Sequence, residues 1–363
     1  MSDITLMASL PGMWARGAEI CTLNLLTGLK ERGYPRLYFH ASLPKDLPFD
    51  MEMHLADKFR EVANSAWNDV RTSDGKDDCL RHRLYDLEPD ILLYAFDKSV
   101  PGLATVQTKT VLVVHGIAQN DFSCYHPEHT DAVVCVSQYA TELAVTYGIP
   151  PKKLHCIPNG VPQIRQSSVP KAQLRHDICG TDATWAWCFV GGLTRAKRPH
   201  LLIAAMARRQ RKDECAIFAG VIDGGMRLQE YAEALGVEKQ CHFLGHVDYI
   251  EDVYNASDCL VITSERESMP LTMLEAMSAG LGVVANPVGG IPEVLNGKRF
   301  ALQCDVTIES DFDCMLDVMR LSRLPQIIPC AMSSDAKAVW KKEYSLEIMA
   351  ANYDKLFRKL LGR

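Results

Sequence analysis

Short apolar runs alternate along the chain with longer segments in which apolar residues recur every three or four positions. The short runs predict buried β-strands, and the longer amphipathic segments predict helices. In the first half the predicted strands are ITLMAS, RLYFHA, DILLYAF, TVLVVHG, DAVVCVS and KLHCIPNGV. The helical pattern is clearest in EICTLNLLTGLKERG, and a more polar helical region covers about 50–86. Strands that alternate with helices in this way indicate a parallel, doubly wound sheet.

The same alternation starts again in the second half. Its predicted strands are WAWCFVGG, CAIFAGV, CHFLGHV, DCLVITS, LGVVANP and FALQC. Between the halves, residues 158–173 are rich in proline and polar turn formers, which is typical of a linker. We therefore expect an α/β protein with two doubly wound, Rossmann-like domains, at 1–162 and 170–345, that face each other across a cleft. The amphipathic segment in 346–363 is expected to form a last helix that crosses back to the first domain.

Composition narrows the classes of function. The chain has 363 residues, which suits two domains, and a formal net charge of −6, which gives no support to nucleic-acid binding. The basic segment ARRQRK, at 207–212, is predicted to be a solvated helix end. The 13 cysteines are scattered without zinc-ligand spacing, which favours reduced thiols and a cytoplasmic protein.

Membrane insertion is not indicated by the sequence. The N-terminal segment lacks the features of a signal peptide, and no apolar run reaches the ~20 residues of a membrane span. We expect a cytoplasmic location, and the sequence leaves open a peripheral contact with the cytoplasmic face of a membrane.

The segment SERESMPLTMLEAMSAGLGVV, from Ser264 to Val284, carries the strongest chemical signal. Pro270 suits the first turn of a helix, where the next backbone amides lack intrahelical acceptors and favour an anion such as phosphate. Glu267 and Glu275 would repel a bare phosphate, but they suit the hydroxyl groups of a sugar nucleotide. The alternative is that Glu267 is a solvated loop acid and that Glu275 is a helix N-terminal acid favoured by the dipole.

This segment resembles the E-x7-E signature of retaining glycosyltransferases of the GT-B fold, specifically family four (group 1). Further segments that resemble this family, in the expected order, are RGAEICTLNLLTGLKERG, VCVSQYATELAVTYGIPPKKLHCIPNGV, FVGGLTRAKRPHLLIAA, CHFLGHVD and EYSLEIMAANYDKLF. The resemblance spans nearly the whole chain. It implies that Glu275 binds the ribose, that Glu267 holds the transferred sugar, and that Lys197 neutralises the departing diphosphate.

The resemblance also assigns roles to the remaining candidate residues. Val247 would meet the base through its backbone, Gly17 would let a loop approach the phosphate, and His115 would lie near the donor sugar or the acceptor. Backbone contacts to the sugar and diphosphate are implied for Ser268, Met269, Pro270, Leu271 and Thr272, and the phosphate-binding loop contains Gly191, Gly192 and Arg195.

The chain departs from the family pattern at two loops. Gly192 stands where the family usually has an arginine, so that one phosphate-binding cation is missing unless Arg195 or Arg198 replaces it. The first loop carries Arg16 where a glycine is commoner. The first half is short for the family, so contacts with the acceptor are the least transferable.

The resemblance implies a retaining glycosyltransferase that moves a sugar from a nucleotide-diphosphate sugar, with a UDP-sugar favoured, to a carbohydrate, lipid-linked or other hydroxyl acceptor in glycan, polysaccharide or glycoconjugate synthesis. No cofactor or essential metal is expected, since Asp311 and Asp313 form a D-x-D that suits a solvated helix start. The first strand is not followed by GxGxxG, which argues against a nicotinamide dehydrogenase. Two alternatives are a sugar-nucleotide epimerase or hydrolase of the same fold and a non-catalytic nucleotide-sugar-binding subunit.

Overall fold

A computed structural model describes residues 4–10, 17–41, 78–96, 100–105, 107–322 and 331–363 of the chain. The described residues form two compact units. The first unit comprises those within Met1–Val161 together with Tyr344–Arg363, and the second comprises those within Pro162–Glu343. Most of the polar region predicted to be helical at 50–86 lies outside the described residues, as does Arg16.

The first unit is built on a parallel sheet of six strands. They are β1 (Thr5–Leu10), β2 (Arg36–Ala41), β3 (Ile91–Tyr94), β4 (Lys109–Val114), β5 (Ala132–Cys135) and β6 (Leu154–Cys156), in the order β2-β1-β3-β4-β5-β6. The helices along the chain are α1 (Gly17–Glu31), α2 (Asp78–Leu87), α3 (Gln119–Phe122) and α4 (Gln138–Thr146). Each of the six strands coincides with an apolar run, and the strand prediction is confirmed.

The second unit repeats this architecture. Its strands are β7 (Trp185–Val190), β8 (Glu214–Ala219), β9 (Cys241–Gly245), β10 (Cys259–Ile262), β11 (Gly282–Ala285) and β12 (Ala301–Gln303), in the order β12-β11-β10-β7-β8-β9. Its helices are α5 (Lys171–Cys179), α6 (His200–Arg209), α7 (Leu228–Ala234), α8 (Ile250–Ala256), α9 (Leu271–Ala279), α10 (Ile291–Leu295), α11 (Glu309–Ser322) and α12 (Ala331–Val339). The strand order reverses between β7 and β10, and open α/β sheets bind ligands at such a switch point.

The last helix, α13 (Leu346–Leu360), packs on the first unit. It lies so close to α1 that a Cβ on Gly28 would stand 2.9 Å from the backbone oxygen of Leu346 and from Cβ of Ala350. The hydroxyl of Tyr34 donates a hydrogen bond of 2.5 Å to the Asp354 carboxylate on α13. Close backbone packing and this polar contact fix the helix on the unit that begins the chain.

The basic segment at the end of α6 is exposed at Arg208, Gln210, Arg211 and Lys212, as predicted, whereas Arg209 departs from that prediction. The side chain of Arg209 is 4% exposed, and its Nη1 lies 2.6 Å from Oε2 of Glu214, which is fully buried at the start of β8. Arg208 donates 2.7 Å and 2.8 Å hydrogen bonds to Asp313 on α11. Acids on the neighbouring strand and helix therefore pair with these cations, a tertiary feature that the local sequence does not reveal.

The D-x-D acids and the cysteines show no metal site in the described part of the chain. Asp313 is occupied by Arg208, and no group of three or more His, Cys, Asp or Glu side chains there is arranged to hold a metal ion. The described cysteines are all free thiols, most of them buried. None of the described helices is long and apolar enough to span a bilayer.

Candidate functional site

The candidate site lies at the carboxyl ends of β7 and β10, where the strand order of the second sheet reverses. The loops that follow these two strands are joined by hydrogen bonds. The Thr263 hydroxyl lies 2.7 Å from the carbonyl oxygen of Lys197 and 2.8 Å from that of Arg198, and the Glu265 amide donates to the Ala196 carbonyl at 2.9 Å. Because β7 and β10 are neighbours, these two loops meet although they are far apart in sequence. We refer to the joined residues 196–198 and 263–267 as the rim.

Lys197 and Glu267 meet directly on this rim. The Lys197 ammonium donates a 2.5 Å hydrogen bond to Oε1 of Glu267, and the Ser264 hydroxyl donates to the same oxygen at 2.7 Å. The Glu267 side chain is only 11% exposed, whereas that of Lys197 is 39% exposed. Glu267 is therefore not the solvated loop acid of the alternative interpretation. Its Oε2 accepts no hydrogen bond from the described residues, and Lys197 keeps two further N–H groups for a ligand.

Glu275 lies within α9, beyond its first turn, and is half-buried. Oε2 of Glu275 accepts a 2.6 Å hydrogen bond from the hydroxyl of Tyr254 on α8. Burial raises the pKa of Glu275, the Tyr254 hydrogen bond lowers it, and the nearby charge of Glu251 raises it. This position excludes the alternative in which Glu275 is an acid of the first helical turn.

The start of α9 offers an anion site between these two acids in sequence. Pro270 is the residue that precedes the helix, one position earlier than predicted, and no side chain caps the helix there. The amides of Leu271 and Thr272 at the first positions have no intrahelical acceptor, and the positive end of the helix dipole favours an anion. Ser268 and Met269 are each 5% exposed, so that the turn before the helix is packed into the unit.

Three glycines lie next to one another at the carboxyl ends of three neighbouring strands. Gly191, Gly220 and Gly245 follow or end β7, β8 and β9, with φ of 119°, 150° and 68°. A Cβ on Gly220 would stand 1.9 Å from the Gly191 carbonyl oxygen, so the two turns pack backbone to backbone. Gly220 was not a predicted site residue, although its place directly after the strand CAIFA is a signal that points to it. Gly192, beside Gly191, is exposed.

Arg195 and Arg198, the two arginines considered as replacements for the missing cation at Gly192, differ in their contacts and exposure. Arg198 has a left-handed backbone, with φ of 53°, and its guanidinium donates to the Thr263 and Ser264 carbonyls at 2.7 Å and 3.1 Å. The Arg198 guanidinium is therefore engaged in holding the two loops together. Arg195 is exposed and lines an open groove of about 580 Å³ together with Arg198, His200, Arg227, Tyr231 and Glu265. Lys197, Glu267 and the residues at the start of α9 are not among the residues that line this groove.

Val247 lies in the loop between β9 and α8, two residues after the turn at Gly245. It is half-buried between two exposed residues, His246 and Asp248, whose side chains approach to 3.6 Å. The loop belongs to the second unit, on the β9 side of the sheet, while Glu275 is on the helix that follows β10.

His115 and Gly17 lie in the first unit. His115 follows β4, stacks on Phe96 with ring centroids 6.1 Å apart, and is held neutral because burial lowers its pKa to about 4. It lines a small cavity of about 20 Å³ at the carboxyl ends of β1, β3 and β4, which Ser9, Cys21, Tyr94 and Tyr353 also line. Gly17 is exposed at the first position of α1, with no atom within 4 Å of a Cβ built there.

Two family profiles match the chain. The profile described as glycosyl transferases group 1 matches residues 182–305, and the one described as Glycosyltransferase Family 4 matches residues 15–163. Together they cover about three quarters of the chain.

Two individual relatives share less than a third of their residues with the chain over the matched segments. The chain is 28% identical over 189 residues to the O-antigen biosynthesis glycosyltransferase WbnH of Escherichia coli, covering 52% of this chain and 50% of that protein. It is 23% identical over 290 residues to the N-acetyl-alpha-D-glucosaminyl L-malate synthase of Bacillus anthracis, covering 75% and 72%. The match thus spans about half the length of WbnH, as it does for WbiN of Escherichia coli, at 50%, and MJ1607 of Methanocaldococcus jannaschii, at 54%.

Solved structures share the fold over the full chain. The crystal structure of HepE from Anabaena in complex with UDP superposes with a TM-score of 0.79 at 16% identity and covers 98% of this chain and 100% of that one. A glycosyltransferase from Rickettsia africae superposes with a TM-score of 0.81 at 15% identity and covers 99% of each chain. These likenesses confirm the predicted fold class.

Proposed function

The chain belongs to the family 4, group 1 glycosyltransferases, and from this premise we propose that it transfers a sugar from a nucleotide-diphosphate sugar to a hydroxyl acceptor in glycan, polysaccharide or glycoconjugate synthesis. The observation that carries the proposal is the direct contact of Lys197 with Glu267, next to the start of α9 along the chain. A cation, a sugar-binding acid and unpaired helix amides are the groups that a diphosphate sugar requires.

In the proposed reaction, the amides at the start of α9 hold the diphosphate and Lys197 bridges it to Glu267. The acceptor oxygen attacks the anomeric carbon on the face from which the diphosphate leaves, so that the configuration is retained. The bond from the anomeric carbon to the phosphate oxygen breaks, and that oxygen takes the acceptor's proton. The protein contributes position and charge stabilisation, since negative charge grows on the diphosphate as it departs.

A UDP-sugar is the donor that we favour. The structures of HepE that share this fold were solved with UDP, with UDP and glucose, and with UDP-glucose. We propose that Glu275, on α9, accepts hydrogen bonds from the ribose hydroxyls and that Val247 meets the base. We also propose that no metal is needed, because Lys197 and the helix dipole supply positive charge.

The test is a panel of UDP-glucose, UDP-galactose, UDP-N-acetylglucosamine and GDP-mannose, incubated with a mixture of free sugars and glycolipids. We expect release of nucleoside diphosphate that depends on the acceptor, and a glycosylated product in the mass spectrum. Turnover of the nucleotide sugar without any acceptor, by release of the diphosphate or by conversion to an epimer, would favour a hydrolase or epimerase, and binding without turnover would favour a non-catalytic subunit.

A matched control for this panel is Glu265→Gln. Glu265 lies on the same loop as Glu267, but it is exposed, so removing its charge should leave turnover within about twofold of the wild type, as for other surface substitutions away from a site. Glu267→Gln should lower turnover strongly. Equal activity of the two variants would contradict the proposed role of the Lys197–Glu267 pair.

A further inference from the structure

Tyr254 is a fully buried residue of α8 whose hydroxyl points at Glu275. The residue is 0% exposed, and its hydroxyl donates to Oε2 of Glu275 at 2.6 Å. The pKa of Tyr254 is raised well above its ordinary value by burial and by the Glu275 charge, so the phenol keeps its proton and remains a donor. The Ser278 hydroxyl donates to the backbone carbonyl of Glu275 at 3.0 Å and does not contact the carboxylate.

Because of the hydrogen bond from Tyr254, the two oxygens of the Glu275 carboxylate differ in their hydrogen bonding. Oε2 is occupied by Tyr254, whereas Oε1 accepts no hydrogen bond from the described residues. A glutamate side chain has several rotatable bonds, and fixing one oxygen on a rigid, buried donor fixes the direction of the other. The adjacent hydroxyls of a ribose are donors that require such a fixed acceptor.

We propose that Tyr254 is a positioning residue for nucleotide recognition, which directs Oε1 of Glu275 to the hydroxyls of the ribose. The inference rests on the proposed function, in which Glu275 binds the ribose. It adds a statement about which nucleotides the site prefers. The site should prefer a ribonucleotide to a deoxyribonucleotide, and the preference should depend on a tyrosine that does not itself touch the nucleotide.

The experiment combines the variant Tyr254→Phe with a change in the nucleotide. Affinities for UDP and for 2′-deoxy-UDP are measured by calorimetry on the wild type and on the variant. A hydrogen bond to a charged group corresponds to about tenfold in affinity, so we expect the wild type to bind UDP about tenfold more tightly than 2′-deoxy-UDP. In Tyr254→Phe the ratio should fall to about two- to threefold, because the carboxylate is no longer directed.

Tyr34→Phe is the matched control. Tyr34 is also buried, and its hydroxyl also donates to a carboxylate, that of Asp354 in the first unit. Its removal should leave the ratio of the two affinities unchanged. A merely structural effect of Tyr254→Phe would weaken both nucleotides equally and would also leave the ratio unchanged, which overturns the proposal.

Failure of the proposed function gives a different result. If the wild type does not distinguish UDP from 2′-deoxy-UDP, the ribose role of Glu275 is wrong. If melting shows that Tyr254→Phe is unfolded, 3-fluorotyrosine is incorporated at position 254 in the otherwise unchanged chain and followed by fluorine NMR. The signal should then shift more with UDP than with 2′-deoxy-UDP, and equal shifts would overturn the inference.

Discussion

In the proposed function, Lys197 is the residue on which the charge balance of the site depends. It donates to Glu267, a nearly buried acid, and it is itself partly exposed. Because an ammonium has three N–H groups, the same lysine can keep this contact and still bind a phosphate. Arg198, the next residue, is committed to two carbonyls of the rim. In the proposed function, Lys197 therefore supplies the charge that the sequence resemblance assigns to an arginine at the position of Gly192.

We predict that Lys197→Ala weakens both UDP binding and turnover. A charged hydrogen bond to phosphate is worth roughly 1.5–3 kcal/mol, so UDP affinity measured by calorimetry should fall by about ten- to a hundredfold. Lys171→Ala is the control, since Lys171 is similarly exposed and pairs with Asp258 at 2.9 Å. Unchanged UDP affinity in Lys197→Ala would remove the lysine from the phosphate site.

The pKa of Glu275 leads to a prediction about pH. Only the ionised carboxylate accepts hydrogen bonds at both oxygens, and burial raises its pKa above the ordinary 4.5, while Tyr254 lowers it and Glu251 raises it. Its contribution to UDP affinity should be complete well above this raised pKa and should decline as pH falls through it. The ratio of UDP affinity between wild type and Glu275→Gln, measured from about pH 8 down to pH 4.5, removes the titration of the phosphate itself. A ratio that stays constant down to pH 4.5, the ordinary pKa of a glutamate, would contradict the prediction.

At the scale of elements, the site depends on turns that pack backbone to backbone. Gly220 follows β8 and packs against the carbonyl of Gly191, and the Gly220 amide donates to the Gly245 carbonyl at 2.7 Å. The three neighbouring strands β7, β8 and β9 thus end in one continuous backbone surface. A side chain at Gly220 would push the Gly191 turn away from this surface.

We predict that Gly220→Ala lowers both stability and nucleotide affinity. The new Cβ would lie 1.9 Å from the Gly191 oxygen, and φ of 150° is unfavourable for alanine. The loss of stability should be about 1–3 kcal/mol, as for other strained backbone positions, with a lower melting temperature and weaker UDP binding. Gly224→Ala is the control, because no atom lies within 4 Å of its Cβ. A Gly220→Ala protein as stable as Gly224→Ala would show that the turns are not tightly packed.

The strands could be predicted from sequence, but the contacts between the loops that follow them could not. Apolar runs such as DCLVITS and WAWCFVGG identify their own strands, because burial on both faces requires them to be apolar. Thr263 contacts Lys197, and Tyr254 contacts Glu275, only because β7 and β10 are neighbours and α8 lies beside α9. The buried position of Arg209 has the same origin, since its acidic partners, Glu214 and Asp317, come from β8 and α11.

At the scale of the whole molecule, two units of one architecture carry different chemistry. The first unit presents a neutral histidine beside a small cavity, and the second presents the cation, the acids and the helix start. The net charge of −6 makes electrostatic attraction of a polyanion unfavourable. The site therefore depends on a few local positive groups for its proposed anionic donor.

We predict that activity survives metal removal. Turnover of the preferred nucleotide sugar should be unchanged in EDTA, because Lys197 and the start of α9 provide the positive charge that other transferases take from a metal. The assay compares EDTA with added magnesium or manganese. Loss of turnover in EDTA that either metal restores would contradict this account and return attention to Asp311 and Asp313, although Arg208 occupies Asp313.

The central claim is that Glu275 serves the ribose and Glu267 serves the transferred sugar, and one comparison tests it most directly. UDP and UDP-glucose affinities are measured by calorimetry for Glu275→Gln and Glu267→Gln, after melting shows that both are folded. Glu275→Gln should weaken both ligands by about tenfold. Glu267→Gln should leave UDP binding intact, since it also frees Lys197 for the phosphates, and should impair only the intact donor and its turnover. Equal losses of UDP affinity in the two variants would contradict the account.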